Sequence, residues 1–261
     1  MNVCVAAVIT AAGSSARMGG LKKEYLALPL SSASDGAADN PCKTDEPLTV
    51  LGAAASAFAD CPRVGLIAIT TPPDAKNGEY AARKALPPAL LRRTRPSVIF
   101  VPGGSSRRLS VYHALSTLAC YRPDYVLIHD GARPWIKTSL IDSAIDAVLL
   151  SRAVIPVVPL AETPKEVECG FVTRHLRRAS VVLAQTPQAF AFDALLTAHE
   201  KAAERELRGK ETGQPVEYTD DAEIWGEFSG PVAVIEGDVF NRKITFPEDL
   251  PASGFYAPPT V

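Results

Sequence analysis

Short apolar runs rich in β-branched residues recur along the chain at 3–10 (VCVAAVIT), 64–70 (VGLIAIT), 97–101 (SVIFV), 124–129 (DYVLIH), 153–158 (AVIPVV) and 231–236 (PVAVIE). They are continuously apolar rather than alternating, as expected of strands buried on both faces of a sheet. Between them, 48–60, 78–93, 106–120, 138–151 and 191–208 are rich in Ala and Leu and have the length of helices. Strand and helix alternating in this way predict βαβ units. The fold class is therefore α/β: a three-layer α/β sandwich with a mostly parallel, Rossmann-like sheet, whose ligands sit at the carboxyl ends of the strands.

Two segments interrupt the rhythm. Residues 31–46 (SSASDGAADNPCKTDE) lack an apolar period and read as a surface loop insertion, while 159–186 carries a Pro-bounded start, basic residues and two short β-like pieces. The second segment is expected to form a β-arm protruding at about 159–183. A further insertion near 206–215 reads as surface decoration, and the whole of 1–261 as one domain.

Composition narrows the function classes. With 47% hydrophobic residues among 261, the chain buries a sizeable core, which excludes disorder. Lys and Arg number 27 against 29 Asp and Glu, a net charge of −2, so there is no global basic field for nucleic acid and any anion site must be local. Cys4, Cys42, Cys61, Cys120 and Cys169 are odd in number and widely spaced, with no CxxC pair. Free thiols in a reducing compartment follow. The opening MNVCVAAVITAAG has no basic n-region, and no other apolar run approaches membrane-helix length, so a cytoplasmic, membrane-free protein is expected.

The first strand runs into AAGSSARMGGLKKEYLAL, residues 11–28. Small residues at Ala11, Ala12, Gly13, Ser14 and Ser15 let backbone N–H groups approach an anion, and a helix is expected to follow. A turn of this kind serves close strand–helix packing as readily. Arg17, with Lys22 or Lys23, adds cations suited to a triphosphate whose α-phosphorus must be polarised while pyrophosphate leaves. The GKS/T ending of a Walker loop is missing, as is GxGxxG. Only His113, His129, His175 and His199 occur, and none forms a Ser/His/Asp or Cys/His set. His129 is expected to face away from its neighbour Asp130, because successive strand residues alternate.

The segment AAGSSARMG…KKEYLAL resembles the nucleotide-binding signature of the sugar-phosphate nucleotidylyltransferases, of the nucleotide-diphospho-sugar transferase fold type. PGGSSRRLSVYHAL at 102–115, VLIHDGARPW at 126–135, AQTPQAF at 184–190 and NRKITFPEDL at 241–250 resemble one family among them, the 2-C-methyl-D-erythritol 4-phosphate cytidylyltransferases of non-mevalonate isoprenoid synthesis. The resemblance implies CMP transfer from CTP to the phosphate of methylerythritol phosphate, with a pentitol-phosphate cytidylyltransferase and a non-catalytic nucleotide-binding homologue as alternatives.

By the same resemblance Gly103, Gly104, Ser105, Arg107 and Ser110 contact CTP, Gly131 and Ala132 line the nucleotide, and Asp130 holds Mg²⁺ between phosphates. A glycine turn with an N-cap, and a strand-end Asp acting as a turn former, are the plainer alternatives for these residues. Arg17 and Lys23 would stabilise the transition state; the choice of Lys23 over Lys22 rests on the Glu-Tyr-Leu that follows. Arg133, Thr163, Thr186, Arg178 and Lys243 would bind the acceptor, with Thr163 and Arg178 lent to a twofold mate by the arm, so a homodimer is implied. In YTDDAEIW, Thr219 is the expected N-cap, and Asp220 and Asp221 read as structural first and metal ligands second. NRKIT is expected to present Lys243 from a short strand, and PEDL to open a Pro-started helix. The chain departs from the family pattern at the 31–46 insertion, at Gly19-Gly20 and at Ser105-Ser106, where acidic residues are common.

Overall fold

A computed structural model describes residues 3–15, 18–28 and 48–250. Ten strands and seven α-helices occur among them. β1 (Val5–Thr10), β2 (Val64–Thr71), β3 (Ser97–Pro102), β4 (Tyr125–Asp130), β5 (Ala153–Pro159) and β10 (Ala233–Glu236) match the six predicted runs to within about two residues. With β8 (Val182–Ala184) and β9 (Gln188–Ala191) they make one eight-stranded sheet, ordered β10-β5-β9-β4-β1-β2-β3, with β8 on the flank of β5. β1 pairs in parallel with both β2 and β4, so the chain winds outward in opposite directions from this point. A crevice therefore opens at the carboxyl ends of β1 and β4, where the register sets Thr10 beside Asp130.

Helices cover both faces. α1 (Val50–Ala59), α2 (Ala75–Lys84) and α5 (Thr138–Ser151) pack Leu51, Phe58, Ala82, Ile141 and Val148 against one face with Ile9, Ile67 and Leu127. α4 (Arg107–Leu118), α6 (Phe192–Glu211) and α7 (Asp221–Phe228) pack Val111, Leu115, Leu195 and Trp225 against the other with Val8, Ile128 and Phe190. The three layers and the mostly parallel sheet are those the apolar runs predicted.

Several elements differ. The helix expected over 78–93 is two helices, α2 and the short α3 (Pro88–Leu91), because the ring of Pro88 fits a first helical turn and not an interior. Gln188–Ala191 is a central strand, antiparallel to both β4 and β5, that no apolar run announced. β6 (Lys165–Glu168) and β7 (Phe171–His175) form a separate two-stranded hairpin with every residue exposed, the β-arm of the expectation. The 31–46 insertion lies outside the described residues. In the 206–215 segment, α6 continues to Glu211, and Glu206 pairs at 2.6 Å with Arg108, which is buried on α4. That part of it is structural, not decoration.

Candidate active site

The crevice holds a cavity of about 710 Å³, within the range of small-molecule sites. Its walls are the loop after β1, the turn after β2, the turn into α4, the end of β4 and the segment around Lys243. Of the nucleotide-loop residues, Ala12, Gly13, Ser14 and Ser15 line it, whereas Ala11 is buried behind them with its N–H donating to Thr70. Ser15 has φ +52°, in the left-handed region, and its hydroxyl donates to Glu24 at 3.2 Å. No α-helix follows this loop among the described residues; the chain instead makes 3₁₀ conformation at Met18 and a 3₁₀ turn at Lys23–Tyr25. Lys22 and Lys23 both line the cavity. The Lys22 ammonium is bound by the carbonyls of Ala12, at 3.1 Å, and Gly13, so it braces the loop, while Lys23 is the more buried of the two at 8% exposure. Burial lowers the Lys22 pKa, an effect that Glu24 opposes. Arg17 lies outside the described residues.

On the second wall, Ser106 caps α4 by accepting from the Leu109 N–H at 3.1 Å, and this delivers Arg107 to the cavity from the first turn. Gly104, Ser105 and Ser110 line the same wall. Gly103 sits just behind: a β-carbon there would lie 2.3 Å from the Ala12 β-carbon. The glycine lets the two ligand loops touch.

Asp130 is the electrostatic centre. Its carboxylate stands 3.0 Å from the Lys243 ammonium, 3.3 Å from Arg133 Nε and 3.8 Å from Arg107 Nε. Burial alone would raise its pKa; Lys243, then Arg107 and Arg133, reverse this and hold it well below the usual carboxylate range. Lys243 comes from an extended segment and not from a strand, fixed by the Ile244 N–H donating to the Ala132 carbonyl at 2.9 Å. The PEDL piece that follows is a 3₁₀ turn, Pro247–Asp249, and not an α-helix. Ala132 lines the cavity; Gly131 lies beneath it, where a β-carbon would stand 2.8 Å from the Thr10 carbonyl.

Arg133 and Thr186 support Asp130 from behind and do not line the cavity. Arg133 donates to the Asn241 carbonyl at 2.8 Å, and the Thr186 hydroxyl accepts from the Asp130 N–H at 3.1 Å. That hydroxyl donates to His129 Nδ1 at 3.0 Å, while His129 Nε2 donates to the Arg133 carbonyl at 3.3 Å. His129 thus turns away from the cavity, against Phe58, with ring centroids 5.0 Å apart. Burial pushes its pKa down to about 4, which fixes it neutral. Thr163 and Arg178 belong to the arm and do not border this chain's cavity; Arg178 donates to the Ala161 carbonyl at 2.9 Å.

The N-cap of α7 is Asp220, which accepts from the Glu223 N–H at 2.9 Å, and not Thr219. Thr10, Thr70, Pro72, Lys22, Glu24, Ser106 and Thr245 also border the cavity. Lys22 is the alternative to Lys23 that the sequence offers and Ser106 stands in the 102–115 motif; the others carry no signal of their own in the sequence. No group of three or more His, Cys, Asp or Glu able to hold a metal occurs among the described residues. Asp130 at the cavity wall nevertheless offers a carboxylate oxygen of the kind a divalent ion takes, with phosphate oxygens and water to complete its shell.

An amide-rich loop, a topological switch point and cations gathered around one carboxylate define an α/β domain of the nucleotidyltransferase class. The sequence profile of the family described as IspD, 2-C-methyl-D-erythritol 4-phosphate cytidylyltransferase, matches residues 43–258. The chain belongs to that family. It is 41% identical over 204 residues to a bifunctional enzyme IspD/IspF of Bradyrhizobium sp. ORS 278, covering 77% of this chain and 47% of that protein. To the bifunctional enzyme of Nitrobacter hamburgensis it is 37% identical over 250 residues, covering 94% and 53%. The chain thus spans about half the length of these relatives. The crystal structure of Francisella tularensis 2-C-methyl-D-erythritol 4-phosphate cytidylyltransferase superposes with a TM-score of 0.68 at 26% identity, over 95% of this chain and 96% of that one. The fold is also that of 4-diphosphocytidyl-2C-methyl-D-erythritol synthase from Anaerococcus prevotii, with TM-score 0.71 at 24% identity and coverage of 95% and 93%.

Proposed function

We propose that the protein transfers CMP from CTP to 2-C-methyl-D-erythritol 4-phosphate, releasing pyrophosphate. The observation that carries this reading is the set of Lys23, Arg107 and Lys243 on one cavity with Asp130, in a chain of this family. A phosphate monoester has a second pKa near 6, so at neutral pH it already carries the anionic oxygen that attacks the α-phosphorus. A new P–O bond forms to the acceptor phosphate while the bond to pyrophosphate breaks, and no proton need be removed. The obstacle is the meeting of two anions, which cationic groups relieve.

Arg17 and Lys23 carry the charge that builds on the α-phosphate and the leaving pyrophosphate. The loop amides of residues 12–15 bind the nucleotide's phosphates, and Gly104, Ser105 and Ser110 border the base and ribose. Lys243 orients the acceptor phosphate beside Asp130, with Arg133 and Thr186 fixing Asp130 itself. Mg²⁺, held by Asp130 with the phosphates, supplies charge neutralisation when bound. Thr163 and Arg178 reach the acceptor of a second copy, so the working unit is a homodimer exchanging arms.

Pyrophosphate release from CTP, Mg²⁺ and either methylerythritol phosphate or ribitol phosphate tests the reading. Release is expected with the first acceptor, and turnover should fall by about 10²-fold or more in Lys23→Ala and Lys243→Ala. Release with ribitol phosphate alone would move the protein to the pentitol-phosphate enzymes, and CTP binding without release would make it a non-catalytic homologue.

A further inference from the structure

Arg107 is held by more than the cavity it serves. Its Nη1 meets Asp221 Oδ2 at 2.8 Å, closer than its 3.8 Å approach to Asp130. Asp221 opens α7, has no solvent exposure and receives His199 Nε2, also fully buried on α6, at 3.1 Å. An ionised carboxylate only accepts hydrogen bonds, so His199 Nε2 carries the proton. Burial works to raise the Asp221 pKa, but Arg107, and then His199, bring it below its ordinary value. The backbone is fixed from the sheet: Gln188 Oε1 on β9 accepts the N–H groups of Asp221 and Ala222, each at 3.1 Å, while Gln188 Nε2 donates to Asp220 at 2.8 Å.

The geometry points to Asp221, oriented by His199, as a positioning residue that sets the Arg107 guanidinium for the nucleotide phosphates. Asp221 and Asp130 stand 2.8 and 3.8 Å from that guanidinium, with Asp220 acting from further off, and the nearest of them decides where it rests. Were Asp221 neutral, Arg107 would move onto Asp130, already paired with Lys243 and Arg133, and away from the nucleotide. A buried carboxylate with one cationic partner and one imidazole donor is costly to keep unless its geometry is used, since losing either partner strands a charge. This inference rests on the cavity being a CTP site and adds to that reading the residues that orient its arginine.

The test is a double-mutant cycle on CTP affinity, measured by calorimetric titration well below each variant's melting temperature. Asp221→Asn should weaken CTP binding about tenfold, the loss expected for one misplaced charge-assisted contact. Arg107→Met should weaken it comparably, and the double variant no further than Arg107→Met alone, because Asp221 acts only through Arg107. His199→Gln, which retains an N–H donor near the position of Nε2, should stay close to wild type, whereas His199→Phe should follow Asp221→Asn. If Asp221→Asn fails to fold, the two His199 variants carry the same comparison. Additive losses in the cycle, or equal affinities for His199→Gln and His199→Phe, would overturn the inference while leaving the CTP site standing. A wild-type protein that binds no CTP would overturn both.

Discussion

His129 and Asp130 are neighbours on β4, and both hold fewer protons folded than unfolded, for different reasons. His129 is fully buried; burial pushes its pKa to about 4 from 6.5, and its Nδ1 accepts from Thr186 in the neutral form. Asp130 is kept ionised by Lys243, Arg107 and Arg133 against its own burial. A depressed folded pKa gives stability that is complete above the unfolded pKa and lost as pH falls, because only the unfolded state takes up the proton. For His129 that window runs from about pH 6.5 down to about pH 4, and it is worth on the order of 3 kcal/mol at 1.36 kcal/mol per pH unit. The stabilisation from Asp130 is complete above the ordinary carboxylate pKa near 4 and is lost only below it, so it leaves the His129 window untouched. Urea unfolding at stepped pH should therefore show a decline above pH 4 that His129→Gln flattens. The same slope in variant and wild type would assign the decline to other groups.

At the scale of elements, the site depends on how closely the loops after β1 and β3 approach each other. A methyl group at Gly103 would lie 2.3 Å from the Ala12 β-carbon and 2.9 Å from the Thr71 carbonyl, so one loop must move. Gly103→Ala is expected to weaken CTP binding about tenfold, from 1–3 kcal/mol of overpacking, with a melting temperature lower by a few degrees. Unchanged affinity would show that the loops separate without disturbing the ligand walls. Much of this frame was legible beforehand. Continuous apolar runs marked the parallel strands, and small residues marked the loops between them. β9 was not, because its four residues include Gln188, and a strand this short is specified by β4 and β5 on either side of it. The network behind the site was hidden for a similar reason. Arg133 shows its chemistry in HDGARP, but its carbonyl partner at Asn241 is 108 residues away, and nothing local marks Asp221 as the partner of Arg107.

At the scale of the whole molecule, the arm is the part that this chain's own cavity does not use. Every residue of β6 and β7 is exposed, with Phe171 at 76% and Val167 at 60%, and neither Arg178 nor Thr163 borders the cavity. If the arm completes the acceptor site of a second copy, core and arm contributions are separable by subunit. Lys23→Ala disables the core side and leaves a sound arm; Arg178→Ala does the reverse. Each variant alone should be inactive. Mixed, dissociated in mild denaturant and reassembled, half of the dimers should pair one of each, and each such dimer regains one intact site of two. Activity should therefore return to about one quarter of wild type at equal total protein. Both variants must elute as dimers for the comparison to hold, which size-exclusion chromatography with light scattering establishes. Activity that stays at the level of the inactive separate variants would mean that Arg178 acts within its own chain, and an Arg178→Ala variant that is active by itself would leave the acceptor to Lys243 and the groups around Asp130 alone.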